Sequence, residues 1–261
     1  MSDYGLDTWY TGDNPEVEDG TLWPKELLPQ DVQNSRIMSF GYDSSITHSD
    51  TAEVTQGSLD NEARSLCSLL QEQRSSPEAS CRPIIFVAHS LGGLVCAKVV
   101  ILGERNANGD GVEAVAKRVK GLIFLDQNTL KILKEESRDL QELGAAFPEV
   151  IRKHNSTQDK IHIVFFFETL DTHGTRIVEQ RSASYPGIGE ILPIRGHHIS
   201  ICKFDSRDDD GYKAVKAKIL QMIRGEIQDN CDNRGGVVFN NYDRVINQAA
   251  GDIHIGSQTN S

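Results

Sequence analysis

Residues Ile84 to Val95 read Ile-Ile-Phe-Val-Ala-His-Ser-Leu-Gly-Gly-Leu-Val, an apolar β-forming run that meets a helix-forming one at a serine. The pattern around Ser90 is A-x-S-x-G, with Ala88 before it and Gly92 after it. Small residues at those two positions suit a sharp strand–turn–helix in which the serine backbone is strained and its hydroxyl stands clear of the sheet. A side chain larger than a methyl at 88 or 92 would collide across such a turn. The chemistry this licenses is attack by a serine oxygen on a carbonyl. The backbone N–H of Leu91 then faces the oxyanion that forms. A short Gly/Ser pattern alone is equally compatible with an ordinary β–turn–α corner, so the partners of Ser90 decide what the turn means.

A nucleophilic serine needs a base, and the base needs an orienting acid; the order Ser, Asp or Glu, His along the chain is one of the arrangements that supply both. That order exists here. His198 follows a short strand-like segment and precedes the last helical one, with His197 beside it as the competing base. Glu168 closes the most apolar run of the chain, where a carboxylate reaches a neighbouring loop, and Asp171 is the alternative acid. His162 falls inside that run and reads as structural. His89 adjoins the nucleophile and is expected to pack behind the turn rather than act as base. The run Asp208-Asp209-Asp210 has a metal-like look, but it opens a helix, where negative charge complements the dipole.

The elements that must carry these residues follow from periodicity. Trp23 to Leu28 reads as a short helix with proline in its first turn, and Arg36 to Tyr42 alternates like a strand. Leu59, Ala63, Leu66, Leu69 and Leu70 recur at helical spacing, giving a helix over 58–74. The helix after Ser90 runs to about Gly103, Val119 to Leu125 is a buried strand, and Leu140 to Val150 is mostly helical. Ile161 to Glu168 is almost uninterruptedly apolar, as in a parallel strand covered on both faces. Glu190 to Ile194 is a last short strand and 209–224 a last helix. Strands alternating with helices predict an α/β fold with a mainly parallel sheet flanked by helices.

A chain of 261 residues is long enough for one full core, here 1–224, with a tail over 225–261. The net charge of −11 argues against nucleic acid and against charge-driven binding to anionic membranes. Five cysteines, an odd number without C-x-x-C spacing, suggest a reducing compartment and neither a disulfide framework nor a zinc site; Cys96 and Cys202 read as core thiols. No cofactor is implied. The N-terminus lacks a basic and then apolar leader, and no apolar run is of bilayer-spanning length, so a soluble, cytoplasmic chain is expected. The tail is rich in Asn, Gly, Asp and Gln with apolar islands at Val237-Val238-Phe239, Val245-Ile246 and Ile253-His254-Ile255. That composition reads as a disordered segment able to stack into cross-β.

Leu22-Trp23-Pro24-Lys25-Glu26-Leu27-Leu28-Pro29, Arg36 to Asp43, the Ala88 to Gly93 turn, Val119 to Leu125, Phe166-Phe167-Glu168-Thr169-Leu170, Ser182-Ala183 and His198 to Phe204 occur in order. Together they resemble the α/β-hydrolase-like family of serine active site-containing proteins and the fungal SesB-type, lipase-like domains. The resemblance covers roughly 20–224. It implies a serine ester hydrolase on a small-molecule or lipid ester, with catalytic Ser90, Glu168 and His198 and the Leu91 amide in the oxyanion hole. It also implies His198 over His197, Glu168 over Asp171, and a mitochondrial, endoplasmic-reticulum or membrane setting.

Two departures from the family pattern shape the expectation. The family's first apolar strand with its His-Gly loop lies before the matched region, and Leu125 passes directly to Asp126-Gln127-Asn128-Thr129-Leu130 where a Gly-Thr-Pro-His-like block and a lid belong. A fold truncated at the first strand and lid is therefore expected. Gly235 to Asn241 and Asp252 to Ser257 resemble the amyloid-signalling motifs of NLR-associated fungal effectors. The alternative function is accordingly a catalytically impaired signalling module, recruited to an NLR-type receptor or self-associating through 225–261.

Overall fold

The apolar run ending at Glu168 forms the strand expected of it, and the other strands of the main sheet align parallel to it. The computed structural model describes residues 7–12, 20–41, 56–105, 111–125, 138–170, 188–233 and 254–257. Asp171, residues 126–130, Ser182-Ala183 and the islands at 237–239 and 245–246 lie outside these. The first elements are α1 (Trp23–Glu26), α2 (Leu28–Asp31), β1 (Met38–Gly41), α3 (Gln56–Gln73), α4 (Pro77–Cys81), β2 (Ile84–Ala88) and α5 (Leu91–Arg105). After them come α6 (Val112–Ala116), β3 (Val119–Leu125), α7 (Arg138–Asn155), β4 (His162–Glu168), β5 (Glu190–Ile194), α8 (Asp210–Asn233) and β6 (His254–Ser257). The chain divides into two compact units, Ser44–Ile201 and Met1–Asp43 with Cys202–Ser261.

The unit Ser44–Ile201 is an α/β layer structure. Its sheet has the order β2-β3-β4-β5, every neighbouring pair parallel. In β4, Ile163, Val164, Phe165 and Phe166 are all buried, as both-face coverage requires. Phe165 stacks on Phe124 of β3 at 5.0 Å, and Phe124 meets Phe147 of α7 edge-on at 6.1 Å. Phe147 belongs to a buried stripe with Leu143, Val150 and Ile151, spaced to place one face of α7 against the sheet. Pro193, which lacks an N–H, sits in β5, an edge strand among the described residues, where that donor is dispensable.

Helix α5 is buried without interruption from Gly93 to Leu102. An all-round apolar helix fits only a core position. Its one charged residue in that stretch, Lys98, is 2% exposed and pairs at 2.5 Å with Asp60 of α3, itself 32% exposed. Further along, α5 and α6 approach so closely that a Cβ on Gly103 would lie 2.1 Å from the Ala116 Cβ.

The second unit is organised on Trp23. It is 1% exposed, its indole N–H donates to the Cys202 carbonyl at 2.9 Å, and its ring meets Trp9, Phe204 and Tyr212. Asp31 accepts from the Tyr212 hydroxyl at 2.8 Å and from Arg207 Nε at 3.1 Å. The Arg207 hydrogen bonds hold the Asp31 carboxyl below the ordinary carboxylate range against its partial burial, while burial and then Asp31 push the Tyr212 hydroxyl upward.

The last helix extends beyond the expected end at 224, to Asn233. The extension passes through Gly225, which costs about 1 kcal/mol relative to alanine, and meets no proline, so the established helix propagates cooperatively. The Ile253-His254-Ile255 island contributes to β6, which pairs in parallel with β1 in the register Met38↔His254 to Gly41↔Ser257. The end of α8 and the whole of β6 therefore fall within a segment that composition reads as disordered. Among the described residues no helix is long and apolar enough to cross a membrane.

The Lys98–Asp60 pair gives a direct stability test. Asp60→Ala leaves a buried ammonium without its counter-charge and is expected to cost about 3–5 kcal/mol in urea unfolding. Adding Lys98→Met should restore most of that loss.

Candidate functional site

Ser90 lies between the last residue of β2 and the first of α5, with φ +51°, in the left-handed region that a non-glycine residue adopts at a cost of about 1–3 kcal/mol. The turn closes by two backbone bonds, Gly92 N–H to the His89 carbonyl at 3.1 Å and Gly93 N–H to the Ser90 carbonyl at 2.9 Å. Leu91 opens α5, so its N–H has no intrahelical acceptor and stands at the positive end of the helix dipole. Ser90 itself is half-buried. The strand–turn–helix read from A-x-S-x-G is thus present, with the expected strained serine.

Glu168 ends β4 opposite Ile194, the end of β5. The chain then keeps the two strand exits together: Thr169 N–H donates to the Ile194 carbonyl at 3.2 Å, and Leu170 N–H to the Gly196 carbonyl at 3.0 Å. Both carboxylate oxygens of Glu168 and the Nδ1 of His198 are sealed from solvent. Since the strands are parallel, Ser90, Glu168 and His198 all lie at or just beyond C-terminal strand ends, the edge along which open α/β sheets build their sites.

The two candidate histidines have different surroundings. His197 starts a tight turn: its N–H donates to Ser200 Oγ at 3.0 Å, and its carbonyl accepts from Ser200 and Ile201 N–H groups, both at 2.9 Å. His198 lies next to the serine turn. Its carbonyl is 2.9 Å from His89 Nε2, and the two imidazole centroids are 4.9 Å apart with planes 38° apart. The expectation that His89 packs behind the turn therefore needs correcting, because the residue next to the nucleophile contacts the loop of the candidate base. Adjacency to Ser90 was the available signal, but the contact depends on where a loop 109 residues away returns. His162 is exposed at the start of β4, at the opposite edge of the sheet from the serine.

Two other groups singled out in the sequence have structural surroundings. Cys96 is buried in α5, and burial, with a smaller contribution from Cys67, pushes its thiol up to about 12. Asp209 accepts from the Gly211 and Tyr212 N–H groups at 2.7 and 3.1 Å, capping α8 as the acidic run suggested. Among the described residues no group of three or more His, Cys, Asp or Glu side chains is arranged to hold a metal.

This geometry defines an α/β protein with a serine elbow, a histidine loop and a buried carboxylate along one sheet edge. No family model matches the chain. Among curated proteins it is similar to Protein SERAC1 from Bos taurus, 26% identical over 247 residues, which is 84% of this chain and 35% of that protein. The human protein is 27% identical over 243 residues, 82% of this chain and 34% of that one. The zebrafish protein is 26% identical over 227 residues, 78% and 33% respectively. The chain thus spans about a third of the length of these relatives. Among solved structures it is similar to a monoacylglycerol lipase of Paleococcus ferrophilus, 11% identical, covering 64% of this chain and 76% of that one with TM-score 0.31. An esterase domain from Rhodothermus marinus is 15% identical, covering 66% and 68% with TM-score 0.31. A putative epoxide hydrolase from Pseudomonas aeruginosa is 11% identical, covering 69% and 76% with TM-score 0.34.

The burial of Cys96 is open to a simple check. Alkylation of the native chain at mildly alkaline pH, mapped by mass spectrometry, should modify exposed Cys81 and spare Cys67, Cys96 and Cys202 until the chain is unfolded.

Proposed function

We propose that this chain is a serine ester hydrolase that works through an acyl-enzyme. The observation that carries the reading is the left-handed Ser90 at the β2–α5 junction, beside the loop that bears His198. Ser90 Oγ attacks the ester carbonyl carbon while His198 takes the hydroxyl proton, and the Leu91 N–H stabilises the oxygen that becomes negative. As the tetrahedral intermediate collapses, His198 returns that proton to the departing alcohol. A water activated by the same imidazole then cleaves the acyl–serine bond and frees the acid. Glu168, its oxygens shielded from water, orients His198 and favours the imidazolium that forms twice in the cycle. A small-molecule or lipid ester is the substrate class.

A second reading concerns 225–261, as a motif that self-associates or recruits an NLR-type receptor. It is supported by β6, since His254–Ser257 adopts extended backbone and accepts a parallel partner strand.

A fluorophosphonate probe separates the two. The folded full chain should label at one site, Ser90→Ala should abolish labelling, and Glu168→Gln should slow it by on the order of 10³- to 10⁴-fold. A folded chain that does not label argues against the hydrolase and leaves the signalling module as the reading.

A further inference from the structure

Among the described residues the four-stranded order puts β2 and β5 at opposite edges of the sheet, three strand spacings or about 14 Å apart. Ser90 leaves one edge strand and His198 leaves the other. The β5 loop must therefore travel back across the ends of β4 and β3 to bring its imidazole to the serine. At its start this loop is fastened to β4 by the Thr169 and Leu170 amides. At the elbow end, a hydrogen bond from His89 meets it.

We infer that His89 is a positioning residue, which clamps the His198 loop to the nucleophile's own turn by donating from Nε2 to the His198 carbonyl; this rests on the hydrolase reading above. The direction of the bond follows from its atoms. A carbonyl oxygen only accepts, so the His89 Nε2 carries the hydrogen, and a neutral His89 is the Nε2–H tautomer. Being covalently next to Ser90, His89 converts a distance between two loops into one fixed by a single side chain. Its ring, 4.9 Å from that of His198, also restricts how the base can tilt. The acceptor is main chain, so the clamp has the same partner whether the His198 imidazole is neutral or protonated, and it spans both halves of acyl transfer. This role differs from that of Glu168, which would act on the imidazole itself.

The test uses three substitutions in the full chain, with circular dichroism and thermal unfolding as controls on folding. His89→Gln places an amide N–H at about the reach of Nε2, whereas His89→Asn has the same amide one methylene shorter, and His89→Leu keeps bulk without a donor. Each is assayed for kcat and KM on a p-nitrophenyl ester and for its rate of fluorophosphonate labelling. Leu and Asn should lower kcat about 10- to 100-fold with KM little changed, as expected for a misplaced base. Gln should stay within a few-fold of the unsubstituted chain. The Gln–Asn contrast remains decisive if the Leu variant does not fold. Gln and Asn equally impaired, or both unimpaired, overturns the clamp while leaving the hydrolase intact. An unsubstituted chain that fails to label at Ser90 overturns the hydrolase reading and the clamp with it.

Discussion

A serine held at φ +51° is the constraint on which the rest of the site depends. The conformation costs about 1–3 kcal/mol and persists only if both flanking elements are immovable. Helix α5 meets that condition: from Gly93 to Leu102 it has no exposed face, so it cannot rotate or slide to relax the turn. β2 meets it through the ladder to β3, which continues to Ala88↔Phe124, two residues before the serine. The Lys98–Asp60 pair adds a register mark, because an ammonium buried in α5 is tolerable only where its carboxylate is. The strain is thus maintained by core packing, and the hydroxyl is presented by a rigid corner rather than by a mobile loop.

The parallel sheet then determines which groups can join the serine. Every strand exit lies on one edge, so residues far apart in sequence collect there without any long excursion of the backbone. Glu168 gains its shielding from being at the end of a strand with a fully buried centre, where the peptide groups after it are occupied by the β5 exit. His198 is different, since its strand is at the far edge. Its location beside the serine rests on side-chain and loop contacts, which makes this the part of the site most sensitive to single substitutions.

Much of this was legible in the sequence, and for identifiable reasons. The elbow could be read because a tight strand-to-helix turn restricts residue size at Ala88 and Gly92. β4 could be read because a strand covered on both faces must be apolar throughout, and Glu190–Ile194 coincides with its expected span. The acidic run was correctly read as a helix start because an unpaired N-terminal turn needs acceptors, and Asp209 supplies one. What escaped was non-local. Neither the His89–His198 contact nor the choice between adjacent histidines follows from spacing, since both depend on how the β5 loop returns. Trp9 and Trp23 could be read as anchors of the N-terminal segment, but the residues near 202–212 that close their cluster escape for the same reason. The extension of α8 and the β1–β6 pairing were missed because polar composition carries little weight against helix propagation and strand pairing.

The central claim is that chemistry passes through a covalent bond to Ser90, and the most direct measurement is rapid-quench mass spectrometry of the full chain during turnover of an activated acyl ester. A burst of one acyl group per chain is expected, located by peptide mapping on Ser90 and lost as the acid is released. Turnover without an adduct, or an acyl group carried on another residue such as exposed Cys81, would contradict it.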